Sequence, residues 1–424
     1  MGRMIIITLI ALLMLSPLTA QELTVSGELK TGFYMEQEQI GNLDPKASGG
    51  MTNNDGDSGS GEGRIRMDFH LAFENMGLRF RFQIEPKGMG PFQPTWSYAY
   101  AYGNLFNEQL TISAGILGES PWGTGGTELW REPESRDYID SNHLSKEPYF
   151  AKEGLMGIRF EYKPSFLPGL NLGFALSQPD QVAIDVKDQT FGDVLKETVV
   201  GAAYENDYFA IGAGFRFDGE ADAYRNNIEE GSRLYYRLEE RVLSTKVPGM
   251  KIWLNGSYYG IGSGTQEIEK MINGQRVKLK FGSGEYLINW LYWLWDADNF
   301  VAKFDAGFGL YQQYKNEDFK PDERAEYQSL ELRPAFYFKL FDNLFQVGAR
   351  AGFCMEFGNG KTYIDSPYQY YFIEPQIKLN INSNAYVALL YNFTEKYAWP
   401  ETSEIQRGDK SQKHWINLRA VFTF

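Results

Sequence analysis

Four arginines fall in two short runs whose spacing gives each run a single charged face. Arg64 and Arg66 are two residues apart, as are Arg79 and Arg81, and Asp68 and His70 continue the first series. Residues at i, i+2 and i+4 share a face only in an extended strand. The opposite faces are apolar: Ile65, Met67, Phe69, Leu71 and Phe73 in the first run, Leu78, Phe80, Phe82 and Ile84 in the second. Fixed guanidiniums facing carboxylates do not make or break bonds. Across a narrow gap they set up a field that orients dipolar solutes and sorts ions by sign. Segment 117–152 offers the acids for such a field, Glu119, Glu128, Glu132 and Glu134, with Arg131 among them. A further basic series, Arg233, Arg237 and Arg241, has Glu239 inside it.

Bond-making chemistry finds less support. The three histidines, His70, His143 and His414, are scattered, and no Ser/His or Asp/His grouping can be placed from their spacing. The single cysteine, Cys354, excludes a disulfide framework and a cysteine-based metal cluster. Residues 53–62 hold Asp55, Asp57 and Glu62 among glycines but lack the ligand spacing of a calcium loop, so they read as a solvated loop. No metal, cofactor or catalytic residue is expected. A formal charge of −14 argues against nucleic acid as a partner.

The elements that must hold these residues alternate with period two along the whole chain. Phe300, Ala302, Phe304, Ala306 and Phe308 alternate with Lys303, Asp305 and Gly307; Phe345, Val347, Ala349, Ala351 and Phe353 alternate with Gln346, Gly348, Arg350 and Gly352. Such patterns are strands with one apolar face. A two-residue turn at Asn75-Met76 would set Phe69 opposite Phe82, Arg66 opposite Glu85 and His70 opposite Arg81. The links between strands alternate in length. Long ones fall near 34–63, 86–94, 117–152, 178–194, 218–230, 261–282, 312–325, 357–367 and 397–411. Short ones fall near 75–76, 103–107, 163–168, 205–207, 243–249, 296–298, 341–343 and 382–384. Nine long and eight short links give about 18 antiparallel strands, or 16 if a weak segment such as 231–242 is mis-split. Two-sheet sandwiches and propellers do not require this alternation of links.

The chain opens with Arg3, an apolar run over 5–15, and a small-residue pattern at Leu18-Thr19-Ala20, which reads as a signal peptide over 1–20 with the barrel over 21–424. Aromatic content of 16% with 44 glycines suits lipid-facing strands with aromatic girdles. The final segment places Ile416, Leu418, Ala420, Phe422 and Phe424 on one face and Asn417, Arg419 and Thr423 on the other. It resembles the C-terminal strand of bacterial outer-membrane proteins, and the chain as a whole resembles porin-type channels. That resemblance implies an all-β fold: a closed antiparallel transmembrane β-barrel with long extracellular loops and short periplasmic turns. It implies a place in the bacterial outer membrane in contact with lipid, passage of small polar or charged solutes, recognition of the strand ending in Phe424 by the barrel-assembly machinery, and a homotrimer as one assembly state.

In porins the third long loop, after the fifth strand, folds inward and narrows the pore. Segment 117–152 holds that place, and its Trp122 and Trp130 would seek cover, so it is expected as a constriction loop whose acids face at least two of Arg64, Arg66, Arg79 and Arg81. Two other functions stay open at this stage. One is an adhesin that uses the barrel as a scaffold; the other is a sugar-selective pore with an aromatic track through Trp253, Tyr259 and Tyr337.

Overall fold

The computed structural model describes residues 22–51, 64–85, 93–117, 155–177, 198–218, 231–261, 266–272, 275–281, 284–313, 325–358, 369–397 and 410–424. In chain order the strands are β1 (Glu22–Ile40), β2 (Lys46–Met51), β3 (Arg64–Ala72), β4 (Met76–Glu85), β5 (Gln93–Leu105), β6 (Leu110–Leu117), β7 (Leu155–Tyr162), β8 (Leu170–Ser177), β9 (Val199–Glu205), β10 (Phe209–Asp218), β11 (Gly231–Glu240) and β12 (Met250–Ile261). They continue with β13 (Gln266–Ile272), β14 (Gln275–Phe281), β15 (Gly284–Asp296), β16 (Phe300–Gln313), β17 (Ala325–Leu340), β18 (Phe345–Gly358), β19 (Gln369–Asn382), β20 (Ala385–Tyr397) and β21 (Lys410–Thr423). A single short helix, α1 (Val242–Lys246), is described between β11 and β12.

Successive wall strands pair antiparallel, with β1 meeting β3 and β12 meeting β15 across the intervening strands, and β1 pairs with β21 through residues 28–40 and 411–423. The sheet therefore closes on itself. β13 and β14 form a separate hairpin, and β2 and β3 both lie on the same flank of β1, so the wall has 18 strand positions. The segment 231–242 that left 16 strands open is β11, paired on both sides. Closure matters physically, because an open edge in lipid would leave a row of backbone groups without partners.

Burial alternates as the sequence does. Along β21 the odd-numbered residues Ser411, Trp415, Asn417, Arg419 and Val421 are buried, while Ile416, Leu418 and Phe422 are exposed. The apolar face thus points outward and the polar face inward, the reverse of a water-soluble sheet. Phe304 and Phe308 follow the same rule at 37% and 38% exposure, and Ile373, Ile377 and Leu389 join them on the outer wall. Among the expected lipid-facing rings, Phe69 and Phe80 are half-buried because they stack on each other at 4.6 Å between centroids. Phe345 is half-buried beside Phe341, 6.1 Å away.

Three expectations need correction. The link 34–63 is not all loop: β1 runs on to Ile40, turns at Gly41 (φ 54°) and is met by β2, with Tyr34, Glu36 and Glu38 keeping the inward alternation. Gln37 and Gln39, polar residues on the outward face, break the apolar alternation there and hid the strand. The turn after β3 is Glu74-Asn75, since the Phe73 N–H donates to the Met76 carbonyl at 2.8 Å. Register therefore shifts by two: Phe69 faces Phe80, Asp68 faces Arg81, His70 faces Arg79 and Arg66 faces Gln83. An even shift keeps every side chain on its expected face. Finally, the link 261–282 contains the β13–β14 hairpin.

The short links all lie at one end. Two of them, Phe106-Asn107-Glu108 and Phe341-Asp342-Asn343, hold three consecutive residues at φ between 54° and 67°. Asn and Asp accept this conformation; phenylalanine does so at a cost in strain. Gly249 (φ 79°) closes the turn after α1, and a Cβ there would sit 1.9 Å from the Asp296 carbonyl oxygen.

Candidate functional site: the inner wall of the barrel

Antiparallel register brings the predicted charged residues onto one inward patch. Arg81 Nε donates to Asp68 Oδ1 at 2.6 Å, and the Tyr98 hydroxyl donates to the same oxygen at 2.8 Å. The Arg81 guanidinium also lies over the Tyr98 ring at 5.0 Å. Arg66 Nε donates to Gln83 Oε1 at 2.9 Å. Arg79 is exposed over the Tyr102 ring at 5.8 Å, and the Tyr102 hydroxyl shares a 2.8 Å hydrogen bond with His70 Nε2. Arg64 occupies the register position opposite Lys30. Two strands further round, Arg159 pairs with Glu161 at 2.8 Å and covers Tyr100 at 5.6 Å.

The patch is thus an interleaved ladder of arginines and tyrosines, with Asp68 and Glu161 as its carboxylates. Tyr98, Tyr100 and Tyr102 on β5 were not singled out by sequence reasoning, although their spacing of two places them on one face. Asp68 is taken by Arg81 and Tyr98, and His70 by Tyr102, so these residues form no Asp–His pair of a catalytic kind. His414 lies on the outer face against Tyr391 and Phe393. Glu119, Glu128, Arg131, Glu132 and Glu134, like His143 and residues 53–62, lie outside the described residues.

Of the second basic series, Arg237 and Arg241 are in different settings, and the side chain of Arg233 lies outside the described residues. Arg241 contacts Glu205 at 3.0 Å and Glu239 at 3.5 Å, and donates to the Asn206 carbonyl at 3.1 Å, so it ties the turn before β10 to the start of α1. Arg237 is half-buried inside β11, facing Asn255 across the β11–β12 pair.

On the far side of the barrel lies a polar layer that the sequence did not reveal. Arg333 Nε bonds Glu331 Oε1 at 2.5 Å and its guanidinium covers Trp290 at 4.4 Å. Arg350 Nε bonds Glu374 Oε1 at 2.7 Å, and Asn392 Nδ2 donates to Glu374 Oε2 at 3.3 Å. Glu331, Glu374, Asn392 and Trp290 are all fully buried. Trp253 stacks on Tyr292 at 5.2 Å, and Tyr292 on Trp290 at 5.9 Å. Glycines opposite the largest rings make room: a Cβ on Gly307 would meet Trp290 at 2.6 Å, and one on Gly352 would meet Phe372 at 2.0 Å. Trp253 and Tyr337, expected as rungs of an aromatic track, are buried in this wall, at 7% and 5% exposure. They are packing residues at these positions.

An apolar outer band, a polar inner face and closure through β1 and β21 decide the architecture. The fold is that of a porin-type outer-membrane barrel. No family model matches the sequence, and no curated protein matches it. Solved structures do align over nearly its full length. Outer-membrane expressed OmpT of Vibrio cholerae aligns with a TM-score of 0.50 at 12% identity, covering 96% of this chain and 100% of that one. OmpF of Salmonella typhi, solved with daunomycin, aligns at 0.49 and 11% identity over 96% and 98%. The outer-membrane channel DcaP of Acinetobacter baumannii aligns at 0.46 and 9% over 95% and 97%. At 12% identity the OmpT alignment carries the fold and nothing finer. As a closed barrel with a lipid-facing exterior, the porin-type chain belongs in the bacterial outer membrane.

Proposed function

We propose that this barrel is a water-filled channel through which small polar or charged solutes diffuse passively. The observation that carries this is the pairing of 18 strand positions with a charged, hydrogen-bonded inner face. A wall of 16 to 18 strands is too wide for its own side chains to fill, whereas eight strands close on a packed interior. The reading is non-enzymatic: the inner charges are arranged in ion pairs and ring contacts that position a field. Segment 117–152 is proposed as the constriction, supported by its place after the fifth wall strand and its acids. Residues 1–20 are proposed as a removable export signal. Purified protein added to a planar lipid bilayer should give stepwise conductance increments. Binding of a ligand by a barrel that never conducts would overturn the channel in favour of an adhesin.

A further inference from the structure

A pair of polar side chains lies on the lipid-facing side of the wall. Tyr236 on β11 and Asn289 on β15 share the outward face of their strands with Leu238 and Leu291, each 43% exposed. The Tyr236 hydroxyl donates to Asn289 Oδ1. It reaches across a whole strand to do so, because Gly256 on β12 sits directly between the two residues. A Cβ on Gly256 would meet the Tyr236 ring at 2.1 Å, so the ring lies along the wall over this glycine. Ala213 on β10 flanks Tyr236 on its other side. The pair therefore has little side-chain bulk beside it, and a neighbouring surface can come close.

Depth sets this pair apart. Asn289 directly faces Phe308, well inside β16, and its neighbours on the same face of β15 are Leu287 and Leu291. Tyr236 uses the amide oxygen, whereas the two amide N–H donors have no acceptor among the described residues. Hydrocarbon supplies none, and lipid headgroups lie at the two membrane surfaces. An acceptor at this depth has to come from protein. In lipid, small residues and polar side chains are the features that hold transmembrane segments together. A two-fold axis along the membrane normal brings equal depths face to face, so a second copy presents its own Tyr236 hydroxyl at the right level. Going beyond the channel reading, we infer that the outer face of β11, β12 and β15 docks a second copy of this chain, with Asn289 of each copy donating to Tyr236 of the other. The contact does not depend on what the barrel conducts.

The test is association of the full-length protein reconstituted in lipid vesicles. Treated with a thiol-reactive crosslinker of flexible spacer, Leu291→Cys should give a covalent dimer. Ile416→Cys, on the outer face of β21, should give none, and Cys354 stays buried in both. Energy transfer between labelled copies, followed as lipid dilutes the protein, reads the affinity. Asn289→Leu should raise the dimer dissociation constant roughly tenfold, as the loss of two symmetry-related hydrogen bonds would. Should that variant fail to insert, Tyr236→Phe, which removes only a hydroxyl, must weaken association in the same sense. A monomer at every dilution, or crosslinking through Ile416→Cys and not Leu291→Cys, overturns the proposal. A less stable barrel with unchanged association makes the pair an internal brace and overturns it equally.

Discussion

At the residue scale the inner wall contains two kinds of arginine. Arg350 and Arg333 are buried against carboxylates that are themselves fully buried, while Arg79 stands exposed over a tyrosine ring. Removing one member of a buried pair leaves an uncompensated charge, at a cost of about 3–5 kcal/mol. Arg350→Met should therefore destabilise the barrel by roughly that amount, and adding Glu374→Gln should recover part of it. Arg79→Met should stay within about 0.5 kcal/mol of the parent, as surface changes usually do. Urea unfolding in lipid vesicles reads all three; equal losses at Arg350 and Arg79 would show that burial does not separate them. Arg81 lies between the two kinds: it is buried, but its partner Asp68 is only half-buried, with Tyr98 also holding its place in the ladder.

At the scale of the element, each wall strand is constrained on both faces at once. Phe308 lies well inside β16, whereas Phe338 lies near the turn end of β17, paired with the first residue of β16. The cost of a charge facing lipid depends on depth, so Phe308→Arg should cost about 2–4 kcal/mol and Phe338→Arg about 0–1 kcal/mol. Folding titrations into bilayers would detect the gradient, and equal costs would place the two at one depth. Turns carry their own constraint. At Gly249 a side chain meets both a positive φ and the Asp296 carbonyl oxygen, so Gly249→Ala should destabilise by about 1–3 kcal/mol, measured in the same titration. A neutral effect would mean that the turn rebuilds easily.

At the scale of the whole molecule, closure is the event that makes a membrane protein of these strands. The terminal residue takes part: the Gly27 N–H donates to the Phe424 carbonyl at 2.8 Å, and the Phe424 N–H donates to the Gly27 carbonyl at 3.0 Å. Deleting Phe424 removes both bonds at the seam. It should lower the amount of barrel assembled in the outer membrane while leaving the single-channel conductance of assembled molecules unchanged; normal levels after the deletion would contradict this. If 117–152 is the constriction proposed above, removing its centre should raise that conductance. Unaltered conductance would put the constriction elsewhere on the wall.

The sequence by itself determined most wall strands and their two faces and pointed to about 18 positions, because period two and the alternation of link length are local properties; β2 and the β13–β14 hairpin lay hidden in its long links. Phe304, Phe308, Ile416 and Leu418 could be assigned to lipid from a few neighbours on either side. Even the turn after β3 was off by one step, yet the faces survived, because the resulting register shift was even. What the tertiary structure decided is who meets whom across strands. Asp68 with Arg81, Glu374 with Arg350 and Asn392, and Trp290 beneath Arg333 depend on register. So does Tyr236 reaching Asn289 across Gly256. Register is set by turn geometry and by the closure of β1 on β21, and no window of sequence contains both.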